Sequence, residues 1–405
     1  PSYGRENSGQ PSYGRENSGQ NEGSMMRPRI AIVSDTVDDT NGVAFGLRRL
    51  VDSATRAGHA VHLVGPANPA VTDSVVRIPA AMTAALPFYA DMTWSVPELP
   101  PLIMWLAANA DLVQVATPGP MGIAALVAAR MLGLPLIAQY HTEVAEYAAR
   151  MTGMPMLGML VEPIVGWFYK QTDLCLAPSA TVERRLASFG VPTDRIVRVR
   201  RGVDLELFHP IRRDRGALAR YGIEVDTPVA LYVGRLSKEK NLEALQAAWQ
   251  LVHAARPDAR LVVVGEGPQP NLVTGPGVIA AGPLFGDQLA AMFASADVFA
   301  FPSETETFGN VVVEAAASGL PAVVARAGAA HEHVVDGVTG EVVDAKPPAI
   351  ATAVLALFAD HARRLRMGLA ARTHAAGYNL HGAVSATWDI YRDVLRARTV
   401  LEAAS

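Results

Sequence analysis

Two carboxylates and two cations carry the most pointed chemistry in this sequence. Glu306 and Glu314 lie in the segment Pro302-Ser303-Glu304-Thr305-Glu306-Thr307-Phe308-Gly309-Asn310-Val311-Val312-Val313-Glu314, with seven residues between them. The first belongs to a loop after an apolar run; the second falls about a turn and a half into the helix that follows. A carboxylate placed before a helix can accept hydrogen bonds from the hydroxyls of a polyol. The free N–H groups of the helix start, opened here by Gly309 and Asn310, favour a phosphate. One loop can thus serve sugar hydroxyls and a diphosphate together. The competing reading makes Glu306 a charge complement to the helix terminus and Glu314 a solvated helix residue.

The cations sit in Gly234-Arg235-Leu236-Ser237-Lys238-Glu239-Lys240-Asn241, directly after the apolar run Val229–Val233. Gly234 permits a close backbone approach, and Arg235 with Lys240 supplies two positive charges that suit a diphosphate leaving group. The alternative is a charged surface loop. Gly265-Glu266-Gly267-Pro268 follows the run Arg260–Val264 and begins like a dinucleotide fingerprint. Pro270 stands where the third glycine belongs and would stop a helix there, which speaks against a dinucleotide.

Earlier in the chain, Asp38-Asp39-Thr40-Asn41-Gly42-Val43 is a polar turn with Gly42 opening a helix, again suited to an anion. Its adjacent carboxylates lack a third ligand and read as a solvated loop. Gln139-Tyr140-His141-Thr142-Glu143 follows another strand, which makes His141 a polar residue at a ligand cleft, able to meet a sugar hydroxyl or a phosphate. His331-Glu332-His333 resembles a metal motif, but no further ligand is evident, so a structural or sugar-loop role is favoured. Cys175, the single cysteine, lies among apolar neighbours as a core filler. It excludes a disulfide framework and a multi-cysteine zinc site.

The elements that must position these residues follow from hydrophobic pattern. Short β-branched runs predict strands over Arg29–Val33, Ala60–Val64, Leu112–Val115, Leu134–Gln139, Leu174–Ala177 and Ile196–Val199. Six more follow over Val229–Val233, Arg260–Val264, Val278–Ala281, Val298–Phe301, Ala322–Ala325 and Gly340–Val343. Helical stretches such as Val43–Ala57, Leu242–Ala255, Leu289–Ser295 and Gly309–Ser318 alternate with them. Alternation of this kind means βαβ units and parallel sheets. Twelve strands exceed one doubly wound sheet, so the chain divides into two α/β Rossmann-like domains, 25–208 and 209–382, facing a cleft. A last helix, about Ala383–Thr399 within 383–405, is free to cross back. Ligands of such sheets bind beyond the carboxyl ends of the strands, where the Asn41-Gly42, His141, Gly234 to Lys240, Gly265 and Glu306 segments fall.

Composition agrees. The chain has 405 residues, half of them apolar and 18% charged, ample for large cores. A net charge of −4 gives no reason to expect a nucleic-acid partner. The decapeptide PSYGRENSGQ occurs twice at the start, and residues 1–24 read as a tag or disordered leader outside the fold, with no signal peptide after it. Residues 112–129 carry no charge, but Thr117-Pro118-Gly119-Pro120 interrupts them, so strand, turn and helix start are favoured over a membrane span.

Taken in order, the motifs resemble the retaining glycosyltransferases of the family-4 type, which have the GT-B fold. The resemblance runs from Arg29 to about Ala383. It comprises Asn41-Gly42, the His141 segment, Arg201-Gly202-Val203-Asp204 with Phe208 and Pro210, Gly234-Arg235 with Lys240, and Gly265-Glu266-Gly267. The carboxylate pair, Ser318-Gly319-Leu320-Pro321, and Asp336-Gly337 with Thr339-Gly340 complete it. It implies that Arg235 and Lys240 bind the donor diphosphate and that Glu306 holds hydroxyls of the transferred sugar. Backbone N–H groups near Phe308, Gly309 and Asn310 would meet the phosphates, and Glu314 the ribose. Gly42 would admit the donor phosphate or the acceptor, and His141 would sit beside the sugar. Gly234, Gly265 and Glu266 complete the implied donor site. Asn41-Gly42 replaces the two glycines of many relatives, and Gly328 is followed by alanines rather than a second glycine.

The resemblance implies no metal and no cofactor apart from the nucleoside diphosphate sugar donor, GDP-mannose or UDP-glucose. Front-side departure would retain the anomeric configuration, because no carboxylate is an obvious nucleophile. The acceptor is a lipid, glycan or small molecule. Two apolar stretches, residues 79–108 with Phe88, Tyr89, Trp94 and Trp105, and residues 151–161 with four methionines, read as core packing or as a mouth for a lipid-linked acceptor. Trp167-Phe168-Tyr169 follows. A cytoplasmic protein with peripheral contact at the inner membrane face is the corresponding expectation. A GT-B phosphorylase, a nucleotide-sugar epimerase and a non-catalytic nucleotide-sugar-binding protein are the alternatives.

Overall fold

The computed structural model of the protein describes residues 27–38, 42–68, 71, 73–86 and 89–404. The leader, Asp39 to Asn41 and Phe88 lie outside them. The strands are β1 (Arg29–Val33), β2 (Ala60–Pro66), β3 (Val76–Ile78), β4 (Ala80–Leu86), β5 (Tyr89–Pro97), β6 (Leu112–Val115), β7 (Leu136–Gln139), β8 (Leu174–Ala177) and β9 (Ile196–Arg198). After them come β10 (Val229–Val233), β11 (Arg260–Val264), β12 (Val278–Gly282), β13 (Val298–Phe301), β14 (Ala322–Ala325) and β15 (Gly340–Val343).

Two parallel sheets form, in the orders β3-β2-β1-β6-β7-β8-β9 and β12-β11-β10-β13-β14-β15. All twelve expected strands are present, several to the residue, because strands buried on both faces must be continuously apolar. In β6, β7, β10, β13 and β14 every residue is buried. The strand order reverses between β1 and β6 and between β10 and β13. Those are the switch points at which such sheets open a ligand crevice.

The uncharged segment 112–129 divides as expected into β6, a turn and the helix Pro120–Leu132. The stretch 79–108 is different. It forms the antiparallel hairpin β4–β5 and the helix Leu99–Asn109. The hairpin gave no strand signal because β4 is mostly Ala, Met and Thr and its pairing partner is supplied by β5 rather than by burial. Leu102 and Leu106 of the helix are buried, as core packing requires. Cys175 is buried, 3.2 Å from the Thr172 hydroxyl, and burial pushes its thiol up to about 11.

The final helix runs Leu380–Ala404. It returns to the first sheet, where Trp388 and Tyr391 join Ile30, Ile32 and Leu112 in one core cluster. Trp388 stacks on His59, with ring centroids 4.3 Å apart. The chain therefore crosses between the domains twice. The crossings lie side by side: Val203 N donates to Tyr378 O at 2.7 Å and Leu380 N to Val203 O at 3.2 Å.

Candidate active site between the two sheets

The loop after β10 carries Gly234, Arg235 and Lys240, and three contacts seat it against the loop after β13. Asn241, the one non-glycine residue with positive φ among those described, turns the chain into the helix Leu242–Ala255 and donates to Pro302 O at 3.3 Å. The Thr305 hydroxyl donates to Glu239 O at 3.1 Å. Lys240 Nζ then meets Glu306 Oε1 at 2.6 Å, and the Ser303 hydroxyl donates to the same oxygen at 2.9 Å. Burial alone would lower the Lys240 pKa, but Glu306 overrides it and holds the ammonium well above its ordinary value. Burial likewise opposes Glu306 ionisation, and Lys240 outweighs it, so the carboxylate titrates below its usual range. Both groups are ionised across the neutral range.

Gly265 begins the loop after β11 with φ +136°, and a Cβ there would lie 2.0 Å from Gly234 O. The two glycines thus let adjacent strand ends touch backbone to backbone. Gly265→Ala is expected to destabilise the second domain by about 1–3 kcal/mol from strain alone, with displacement of Gly234 in addition. Calorimetry should show a lower Tm, and an unchanged Tm would contradict this packing. Pro270 opens the short turn Pro270–Leu272 rather than a helix, in keeping with the rejected dinucleotide reading. Glu266 accepts Leu236 N on its backbone oxygen at 2.8 Å, while its carboxylate belongs to an exposed residue.

The helix Asn310–Ala317 begins after Gly309, whose φ of +90° caps it. Phe308 is buried beneath, its ring 4.2 Å from that of His333. Glu314 is buried too, which overturns the solvated-residue reading. Its partner is Arg49 of the first domain, Nη1 to Oε1 at 3.3 Å, and burial raises its pKa against the pull of that guanidinium. The helix Gly42–Arg56 supplies Arg49, and its first residue, Gly42, faces Asn310: a Cβ there would lie 3.8 Å from Asn310 Nδ2. Gly42 and the helix start of the second domain are therefore opposite each other.

His141 follows β7 and is buried. The Thr307 hydroxyl donates to its carbonyl at 2.8 Å, and the Ser179 hydroxyl donates to Thr307 O at 2.8 Å. These bonds tie the first domain to the Glu306 loop. His331-Glu332-His333 is a bracing segment rather than a ligand set. Glu332 caps the helix Ala180–Ser188, accepting Ala180 N at 2.8 Å and Thr181 N at 2.7 Å. His333 Nε2 donates to Phe308 O at 2.7 Å, Nδ1 pairs with the Tyr378 hydroxyl at 3.0 Å, and burial lowers its pKa to about 4. Among the described residues no group of three or more His, Cys, Asp or Glu is placed to hold a metal.

Three residues of the site were not singled out from sequence. Tyr147, on the helix Val144–Thr152, lies beside Lys240, whose charge acts on its hydroxyl. Arg49 meets Glu314, and the Arg201 guanidinium contacts His141 Nδ1. Arg201 belongs to a motif of the resemblance, which was the available signal; nothing marked Tyr147 or Arg49 in advance.

Family models match both halves of the chain: Glycosyltransferase Family 4 over residues 40–207 and Glycosyl transferases group 1 over residues 227–360. A GDP-mannose-dependent alpha-mannosyltransferase from Mycolicibacterium smegmatis is 34% identical, covering 91% of this chain and 96% of that protein. The chain belongs to this glycosyltransferase family. A sulfoquinovosyl transferase from Arabidopsis thaliana is 32% identical over 76% of this chain and 62% of its own length. Among solved structures, a sucrose-phosphate synthase from Thermosynechococcus elongatus superposes with a TM-score of 0.75 at 22% identity, covering 92% of this chain and all of that one. HepE of Anabaena, solved in complex with UDP, gives 0.73 at 17% identity, covering 90% and 100%. These likenesses establish the GT-B fold and mark this glycosyltransferase as an enzyme.

Proposed function

We propose that this glycosyltransferase moves mannose, with retention, from GDP-mannose to a hydroxyl of a lipid-linked acceptor. The observation that carries the donor reading is the Lys240–Glu306 pair at the carboxyl ends of β10 and β13, in the loop whose Thr307 bonds the His141 carbonyl of the first domain. Lys240 with Arg235 would neutralise the diphosphate as charge develops on the leaving group, the point at which fixed cations accelerate a reaction most. Glu306 would accept hydroxyl hydrogen bonds of the mannose. The N–H groups of Gly309 and Asn310 would meet phosphate oxygens, and Glu314, released by Arg49, the ribose. The leaving phosphate would take the acceptor's proton on the same face, and no metal or other cofactor is invoked. The base follows the relatives, several of which are GDP-mannose-dependent alpha-mannosyltransferases. A thermal-shift panel should give the largest Tm increase with GDP-mannose and GDP, followed by GDP release on adding acceptor. A shift with UDP-glucose alone would transfer the assignment to the other donor, and a β-mannoside product would remove retention.

The lipid-linked acceptor rests on the outer face of the first domain. Met156, Met159, Leu160, Ile164 and Trp167 are exposed along the helix Pro155–Lys170, with Ile123, Val127 and Met131 along Pro120–Leu132. Exposed apolar stripes this long mark an interaction surface. Lys170, at the end of the first of those helices, is an exposed cation suited to anionic headgroups; Arg130, at the end of the second, is paired with Asp173 at 3.4 Å. Among the described residues no helix is long and apolar enough to cross a membrane. Co-sedimentation with vesicles containing phosphatidylglycerol should pellet the protein, and less so in high salt. A protein that stays in the supernatant at low salt would exclude the lipid surface.

A further inference from the structure

Arg201 and His141 make a contact whose chemistry admits one arrangement. His141 follows β7 and Arg201 follows β9, both at the carboxyl edge of the first sheet. The Arg201 guanidinium reaches His141 Nδ1 through Nη2 and lies over the Phe308 ring of the second domain, 5.7 Å from its centroid. A guanidinium has donors and no acceptor, so Nδ1 must carry the lone pair, and the single proton of a neutral ring must then sit on Nε2. Nε2 is buried and has no hydrogen-bond partner among the described residues; the same holds for Arg201 Nε. Two buried N–H groups, on side chains in contact with each other, therefore lack an acceptor among the described residues. Unpaired buried donors are costly, and a substrate oxygen would satisfy them.

We propose that Arg201 is a positioning residue that locks His141 as the neutral, Nε2-protonated tautomer, so that the ring offers a fixed hydrogen-bond donor to an oxygen of the bound sugar. The statement about substrate rests on the donor-site reading above; the statement about the ring does not. Burial first, and the Arg201 charge second, hold the His141 imidazole well below its ordinary pKa. Arg201 is the charged group that acts on the ring, while Glu306 acts on Arg201 in turn, whose own pKa burial lowers to about 10. The Thr307 contact is to the backbone carbonyl and leaves the ring free to respond.

The test uses the full chain with 15N-labelled histidine, His141 being assigned by comparison with His141→Gln. The wild-type ring should be protonated at Nε2 and should not titrate between about pH 5 and pH 8, the window in which an ordinary histidine changes charge. A ring protonated at Nδ1, or one that titrates inside that window, overturns the proposal without any variant. Arg201→Gln replaces an obligate donor by an amide that can also accept, so the Nδ1-protonated tautomer should appear, while burial, the larger cause, still holds the ring neutral. Arg201→Lys keeps a charge and a donor and should restore the Nε2-protonated ring. A ring still wholly protonated at Nε2 in Arg201→Gln overturns the role of Arg201. In kinetics, Arg201→Gln should lower kcat/KM about tenfold, the loss of one oriented hydrogen bond, and Arg201→Lys should recover it. A ring that behaves as stated while kcat/KM is unchanged in Arg201→Gln would leave the tautomer in place and remove His141 from the donor site.

Discussion

Lys240→Ala should lower kcat/KM for sugar transfer by about 10²–10³-fold, the usual loss when a fixed group opposite developing charge is removed. Arg235→Ala should fall in the same range, because both cations follow β10 on one loop. Lys240 carries a second consequence that Arg235 does not. Its ammonium is bonded to Glu306 at 2.6 Å inside the domain interface. Removing it leaves Glu306 without its partner, and breaking a buried pair from one side costs about 3–5 kcal/mol. The variant should therefore unfold at lower temperature as well as react slowly. Measuring activity well below its new Tm separates the two effects. Near-normal turnover there would refute the assignment of Lys240 to the diphosphate.

Glu306→Gln should reduce kcat roughly 100-fold while thermal shift by the free nucleoside diphosphate persists. This follows from the division of labour proposed for the loop, with the carboxylate on the sugar and the helix start on the phosphates. A charge-neutral amide keeps the size of the side chain but loses the paired anion, and Lys240 becomes an uncompensated cation. Because the residues are in contact, their effects on stability should not add. The double variant Lys240→Ala, Glu306→Gln should be more stable than the sum of the single losses indicates. An additive result would mean that the ion pair contributes nothing to folding. The pair also has a pH signature. Glu306 titrates below the usual carboxylate range and Lys240 above the usual amine range. Its contribution is therefore present through the neutral range, is lost as acid protonates Glu306, and is lost again as strong alkali deprotonates Lys240.

The interface closes around these groups from both sides. Tyr147 lies beside Lys240, Arg49 engages Glu314, and Thr307 bonds the His141 carbonyl. With the donor placed as proposed, binding exchanges the first two contacts for substrate contacts. Such an exchange couples ligand entry to the relation between the domains, as expected of enzymes that close on their substrates.

Most of the fold was legible in the residues themselves. Parallel strands buried on both faces need uninterrupted apolar runs, and such runs are local patterns; β1, β6, β8, β10, β11, β13, β14 and β15 were readable to the residue for that reason. The hairpin β4–β5 was not, since an antiparallel pair can form from small and polar residues when each strand supplies the other's hydrogen bonds. The last helix was visible as a helix, but its destination was not: Trp388 and Tyr391 enter the first core only because the chain re-crosses beside Val203.

The site divides in the same way. By itself, the sequence determined which residue types stand at the carboxyl ends of the strands, because motif and strand are adjacent in the chain. It thereby offered Arg235, Lys240, His141, Glu306 and Glu314 as candidate polar groups for a cleft. Only the tertiary structure decided their partners. Lys240 and Glu306 are 66 residues apart, His141 and Arg201 are 60, and Arg49 and Glu314 are 265. Contacts at those separations depend on how two sheets and two domains dock, and no local periodicity encodes that. Partners also set protonation: the same burial leaves Glu306 ionised beside Lys240, raises Glu314 beside a more exposed Arg49, and keeps His141 neutral beside Arg201.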